Sequence, residues 1–186
     1  MPIRHKHPGW PVTTSTDIGI SLPPKYIVSD FASQPTDALL ETIRRQHPDN
    51  PGLVETVRKI ASNGLIKIFA VEETPDKSGF RDNFNLIVSG LPSGANLDTL
   101  VSQTKAQLAS MTVPGTLKIE NRTLPSGDAA RITGEFVATT GNYGVTTYIM
   151  VHGGKQYVFS FSNGKATEAA GAKLADLVMD TVYFAS

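Results

Sequence analysis

The sequence predicts an α+β fold, a central and mostly antiparallel sheet flanked by helices on both faces. Three observations carry that prediction. Phe80 to Ser186 reads almost unbroken as strand, helix, four strands, helix. The links within the four-strand run are short, whereas parallel neighbours need crossovers of about a dozen residues, so the run is an antiparallel meander. Leu65–Val71 is apolar at nearly every position, which marks an interior strand covered on both sides.

Residues 1–16 are rich in Pro, Thr and His without apolar periodicity, and read as a flexible or draping arm. Asp17–Leu22 sets Ile18, Ile20 and Leu22 against small polar positions, a half-buried strand that Pro23-Pro24 ends. One helix starts near Pro35, shows Leu39, Leu40 and Ile43 on one face, and stops at His47-Pro48. A second opens at Asn50-Pro51, a capping residue followed by proline at the first helical position. It carries Leu53, Val54, Val57, Ile60 and Ala61 on one stripe and ends at Asn63-Gly64. The two stripes predict a helical pair whose shared apolar face lies on the sheet.

After the strand Leu65–Val71, residues Glu72–Asn83 form a polar loop and Phe84–Val88 return to strand. Asn96 caps an amphipathic helix with Leu97, Leu100, Val101, Thr104, Leu108 and Met111 inward. Asp98 in its first turn suits the helix dipole. The meander runs Thr116–Thr123, Ala129–Ala138, Val145–His152 and Lys155–Ser162, with Gly153-Gly154 as a tight hairpin turn. A last helix, Lys165–Asp180, presents Ala170, Leu174, Leu177 and Val178, and Val182–Phe184 closes against the sheet. With no repeat, linker or low-complexity block, residues 17–186 read as a single domain.

Composition excludes several functions. Lys plus Arg and Asp plus Glu both number 17, and the cations are scattered, so there is no basic stripe for nucleic acid. The absence of cysteine removes disulfides, thiolate metal sites and Cys nucleophiles. No run approaches the ~20 apolar residues of a membrane span, and residues 1–10 lack the apolar segment of a signal peptide.

Several stretches resemble a known family. They are Gly64–Val71, Asn83–Val88, Leu91–Asp98, Leu124–Arg131, Thr147–Val151 and Gln156–Phe161, in register with the strands and helices above. Their order resembles the PsbP-like α/β/α sandwich, and most nearly the actinobacterial LpqN/LpqT-type lipoprotein domains. The resemblance spans about residues 17–186 and rests on turn prolines, strand alternation and helix starts. It implies a non-catalytic domain often attached to a cell envelope. Proteins of that family usually carry a signal peptide and a lipid-modified cysteine, and the sequence departs from the pattern in showing neither.

The residues with chemical potential were weighed singly. His5 and His7 sit in the arm without a third ligand, His47 at a helix end and His152 at a hairpin, all structural or solvated positions. Leu-Pro-Ser-Gly at 91–94 and 124–127 is turn composition, not a serine nucleophile. Gly153-Gly-Lys155 joins strand to strand and lacks the rest of a phosphate loop. Glu73, Asp76 and Asp82 share one loop and are conceivable ligands of a hard cation, though without regular spacing. Phe80 in the polar loop, Tyr143 in a Gly-Asn-Tyr-Gly turn and Trp10 in the arm remain. Each either contacts a partner or folds back on the core.

The resulting expectation is a non-catalytic binding or scaffold domain. It recognises a protein partner or an apolar small molecule, with Phe80, Tyr143 and Trp10 as contacts and no cofactor, metal or catalytic residue. Two alternatives stand beside it: an intracellular PsbP-like assembly or chaperone-type protein, and an enzyme with an unrecognised carboxylate site. Location is open between envelope or exterior, with a leader removed, and cytoplasm; oligomeric state is not specified.

Overall fold

The computed structural model describes residues 7–15, 17–31, 37, 40, 41, 44, 54, 55, 58, 62, 64, 66–137 and 141–185. Its strands are β1 (Val12–Ser15), β2 (Ile18–Ser21), β3 (Tyr26–Asp30), β4 (Ile66–Glu72), β5 (Asn83–Gly90), β6 (Lys118–Leu124), β7 (Gly127–Phe136), β8 (Tyr143–His152), β9 (Lys155–Gly164) and β10 (Tyr183–Phe184). Two helices are bounded within these residues, α1 (Leu97–Ala109) and α2 (Glu168–Met179).

Seven strands form one antiparallel sheet in the order β3-β4-β5-β9-β8-β7-β6, and β1-β2-β10 form a second of three. The meander β6 to β9 is antiparallel throughout, as its short links require. Its last strand pairs with β5, so the chain leaves β5, travels to the far edge and returns strand by strand. Helix α1 spans that excursion. Its 13 residues reach about 20 Å, close to the roughly 19 Å that separates strands four places apart.

Alternation along the strands sorts the side chains into clusters. Phe84, Leu86, Tyr148, Met150, Tyr157, Phe159 and Phe161 join Ile18 and Ile20 of the small sheet, Leu22 just after it, and Ala175, Val178 and Met179 of α2. Leu100 of α1 packs with Ile132 and Ile149. Leu40 and Val54 pack with Phe69 and Val71. Asp37, Leu40, Glu41 and Arg44 are helical, as are Val54, Glu55, Arg58 and Ser62; the other residues of that expected helical pair lie outside the described ones. Gly64 has φ +62°, the left-handed stop expected there.

The structure differs from the sequence reading in four places. Val12–Ser15, read as part of the arm, pairs with β2 in a two-residue hairpin. Tyr26–Asp30, read as no element, is the edge strand β3; the proline pair before it ends β2 but does not prevent a new strand three residues on. Met111 lies beyond the end of α1 and is exposed, not inward. On α2 the buried face is Gly171, Ala175, Val178 and Met179, whereas Leu177 and Ala170 face out.

The position of that buried face follows from Gly171. A Cβ there would lie 2.0–2.2 Å from the side-chain amide of Asn163, which is itself buried. Gly171→Ala therefore displaces α2 or Asn163, and is expected to destabilise by about 1–3 kcal/mol. Urea unfolding should show a lower midpoint with an unchanged slope.

Candidate functional site

Three connections meet at one end of the large sheet: the β4–β5 loop, the β7–β8 turn and the β9–α2 link. A buried carboxylate organises the junction. Asp82 Oδ1 accepts from the Gly164 amide at 2.9 Å and the Thr167 hydroxyl at 3.1 Å, and Oδ2 accepts from Asn163 Nδ2 at 2.9 Å. Its carbonyl accepts from the Glu72 amide at 2.8 Å. Tyr26 nearby has its pKa raised by burial and by the charges of Asp82 and Glu72.

Within the loop, Asp76 Oδ1 accepts from the Ser78 amide and hydroxyl at 2.8 and 2.6 Å and from the Phe80 amide at 3.0 Å. The Asp76 amide in turn donates to the Phe80 carbonyl at 2.8 Å. This closed turn aims Phe80 across the junction, where its ring stacks on Tyr143 with centroids 5.4 Å apart. Tyr143 opens β8 opposite Phe136, and those rings lie 5.7 Å apart. Gly164 is required for this approach: a Cβ on it would sit 2.1 Å from Asp76 Oδ2.

The aromatic group borders a cleft of about 620 Å³ lined by Ser78, Phe80, Glu135, Asn142, Gly164 and Lys165, among others. Glu135 accepts from Lys165 Nζ at 2.6 Å and from Asn142 Nδ2 at 3.0 Å. Those two bonds hold its carboxyl below the usual range, and bonds to Glu135 and Glu168 raise Lys165. The bond from the Ser78 hydroxyl, with amide bonds from the same turn, holds Asp76 low against the opposing effect of burial. Burial raises the Tyr143 phenol.

Phe80 and Tyr143, 63 residues apart by their numbers, are thus brought together and are half-buried. Trp10 is not with them. It stacks on His7 at 3.8 Å, packs against the main core and lines a different cleft of about 450 Å³ beside Leu174. His152 stacks on Phe184 at 4.0 Å. The loop carboxylates Asp76 Oδ1 and Asp82 accept the bonds above, and Asp76 Oδ2 is buried without a hydrogen-bond partner. Among the described residues no three His, Asp or Glu side chains are grouped to hold a metal.

One network escaped the sequence reading. Arg131 Nε donates to Tyr148 Oη at 3.1 Å and Asp176 Oδ1 at 2.9 Å, Tyr148 donates to the same carboxylate, and Glu120 and Arg122 join at 3.4 and 3.7 Å. Its sequence signal is register: Arg131 shares the inward face of the buried Ala129.

The whole chain is similar to known structures. LpqN, involved in cell envelope biogenesis of Mycobacterium tuberculosis, matches with a TM-score of 0.57 at 11% identity, over 100% of this chain and 90% of that one. A Bacteroides thetaiotaomicron protein matches with a TM-score of 0.50 at 13% identity, over 91% and 45%. The cyanobacterial PsbP of Synechocystis matches with a TM-score of 0.49 at 15% identity, over 90% and 86%. No family model and no curated protein matches the sequence. The LpqN likeness bears out the PsbP-like α+β fold that the sequence resemblance implies. Among the described residues no helix is long and apolar enough to cross a membrane.

Two outcomes test this geometry. Asp82→Ala strands three donors, so a loss of about 3 kcal/mol is expected in denaturant unfolding. Asp82→Asn should lose less, since its amide oxygen still accepts. For Asp76 the lowered pKa means its bonds persist above the ordinary carboxylate range and fail as pH falls through the lower folded value. The Phe80 amide resonance should therefore titrate below the ordinary carboxylate range, and this step should vanish in Asp76→Asn.

Proposed function

We propose that this chain is a non-catalytic binding domain that meets a protein partner through the Phe80–Tyr143 face, in a cell-envelope setting. Its layering is that of an α/β/α sandwich. Ile149 and Met150 are consecutive on β8 and so leave it on opposite sides; Ile149 packs with α1 and Met150 belongs to the cluster that contains α2. The likeness to LpqN, itself involved in cell envelope biogenesis, supports the setting.

The observation that carries the binding site is the stacked, half-buried pair of Phe80, from the β4–β5 loop, and Tyr143, at the start of β8, with Phe80 lining the cleft. Around that aromatic centre run Ser78, Glu135, Asn142 and Lys165. An aromatic anchor within a polar rim is how protein interfaces are built. The cleft carboxylate Glu135 is bonded to Lys165 and Asn142, which supports recognition over acid–base chemistry.

The test is a photo-reactive benzoylphenylalanine placed at Asn142, compared with one at Lys105 on α1, in the native host. A discrete protein adduct is expected from position 142 alone. Phe80→Ala should weaken it about tenfold or more while the domain still folds. Equal adducts from both positions would refute the surface. An unchanged adduct with a lower melting temperature in Phe80→Ala and Tyr143→Ala would make the pair a core lid.

A further inference from the structure

A second cleft, of about 320 Å³, lies between the β1–β2 hairpin and the ends of β4, β5 and β9. Ser15, Asp17, Lys67, Val88 and Lys155 line it. We propose that this cleft is an anion site that takes the phosphate or carboxylate group of a small molecule.

Three observations point there. The Ser15 side chain is 3% exposed and its Oγ has no hydrogen-bond partner. An unbonded buried hydroxyl is destabilising unless something arrives to meet it. The single lining carboxylate is already occupied, because Asp17 Oδ2 accepts from Lys155 Nζ at 2.6 Å and from Tyr157 Oη at 2.8 Å. Meanwhile Lys67 Nζ donates to the Gly64 carbonyl at 3.1 Å, a neutral acceptor that leaves its charge in place. Each ammonium has three donors, so the two lysines keep donors beyond those bonds.

Opposite Lys155 in register stands Gly90, and the position of a Cβ there has no atom within 4 Å. The missing side chain leaves room beside the ammonium. Val88 adds an apolar wall suited to a short carbon skeleton. The lining thus carries one net positive charge, two lysines against Asp17, together with a hydroxyl donor, and phosphate and carboxylate groups are both pure acceptors that fit it.

The experiment is an amide NMR titration with sodium phosphate and, separately, sodium acetate, each against sodium chloride at equal ionic strength. Saturable shifts at Ser15, Gly90 and Lys155 are expected with phosphate or acetate and not with chloride. Saturation by phosphate alone assigns the site to phosphate groups, and saturation by acetate assigns it to carboxylates. Lys67→Gln and Ser15→Ala should each weaken binding about tenfold, and Lys105→Gln should leave it unchanged. Ser15→Ala deletes only an unbonded hydroxyl and is expected to melt no lower than the parent, so misfolding does not obscure the result. Shifts that match chloride, or full binding by both variants, would overturn the site and leave water as the partner of Ser15.

Discussion

The Asp82 carboxylate is the constraint on which the Phe80–Tyr143 end of the large sheet depends. It is 5% exposed and accepts from the backbone of Gly164 and the side chains of Asn163 and Thr167. All three donors are neutral groups. Those donors sit at the end of β9 and the start of α2, while Asp82 itself precedes β5. One side chain therefore fixes where the central strand pair ends and where the helix begins. Thr167 spends its hydroxyl on this bond and on the Gly164 carbonyl, and makes no side-chain cap for α2.

Most of the folding free energy comes from the apolar clusters, since burying a large side chain is worth about 1.5–3 kcal/mol and many are buried completely. Charged pairs contribute less net, because desolvation offsets their attraction. Their role here is placement. Asp17 ties the hairpin of the small sheet to Lys155 and Tyr157 on β9. Burial pushes the Asp17 carboxyl up, and the bonds from both partners with the Lys155 charge outweigh it. Arg131 and Tyr148 tie α2 to β7 and β8 through Asp176 in the same manner. Apolar contacts tolerate sliding, and each of these polar ties allows one position.

What the sequence revealed follows from the range of the forces involved. Local periodicity exposed the meander, the Asn96 cap, whose side chain accepts from Thr99 at 2.9 Å, and the glycine hairpin at 153–154. Strands β1 and β3 were missed because each is short and next to proline, and each gains its partner only through tertiary pairing. For the site, composition singled out Phe80 and Tyr143 as aromatics in polar surroundings. Their stacking was hidden, because it depends on Asp76 closing one loop and on β7–β8 pairing placing the other. Asp82 read as one loop acid among several. Its burial is decided by donors more than 80 residues away.

The protonation states at this end of the sheet bear on the kind of work it does. Asp76 and Glu135 are held below the ordinary carboxylate range by the donors bonded to them, the Ser78 hydroxyl foremost for Asp76 and Lys165 foremost for Glu135. A general base works best with a pKa near the operating pH, and a general acid must hold its proton there. Carboxylates fixed in the ionised form by Ser78, Lys165 and Asn142 do neither at neutral pH. The same bonds order the chain around Phe80 and Tyr143, and ordering of that kind lowers the entropic cost of any binding there. At this end Asp76 closes the turn that carries Phe80 onto Tyr143, and that half-buried stacked pair is the observation on which the proposed recognition rests.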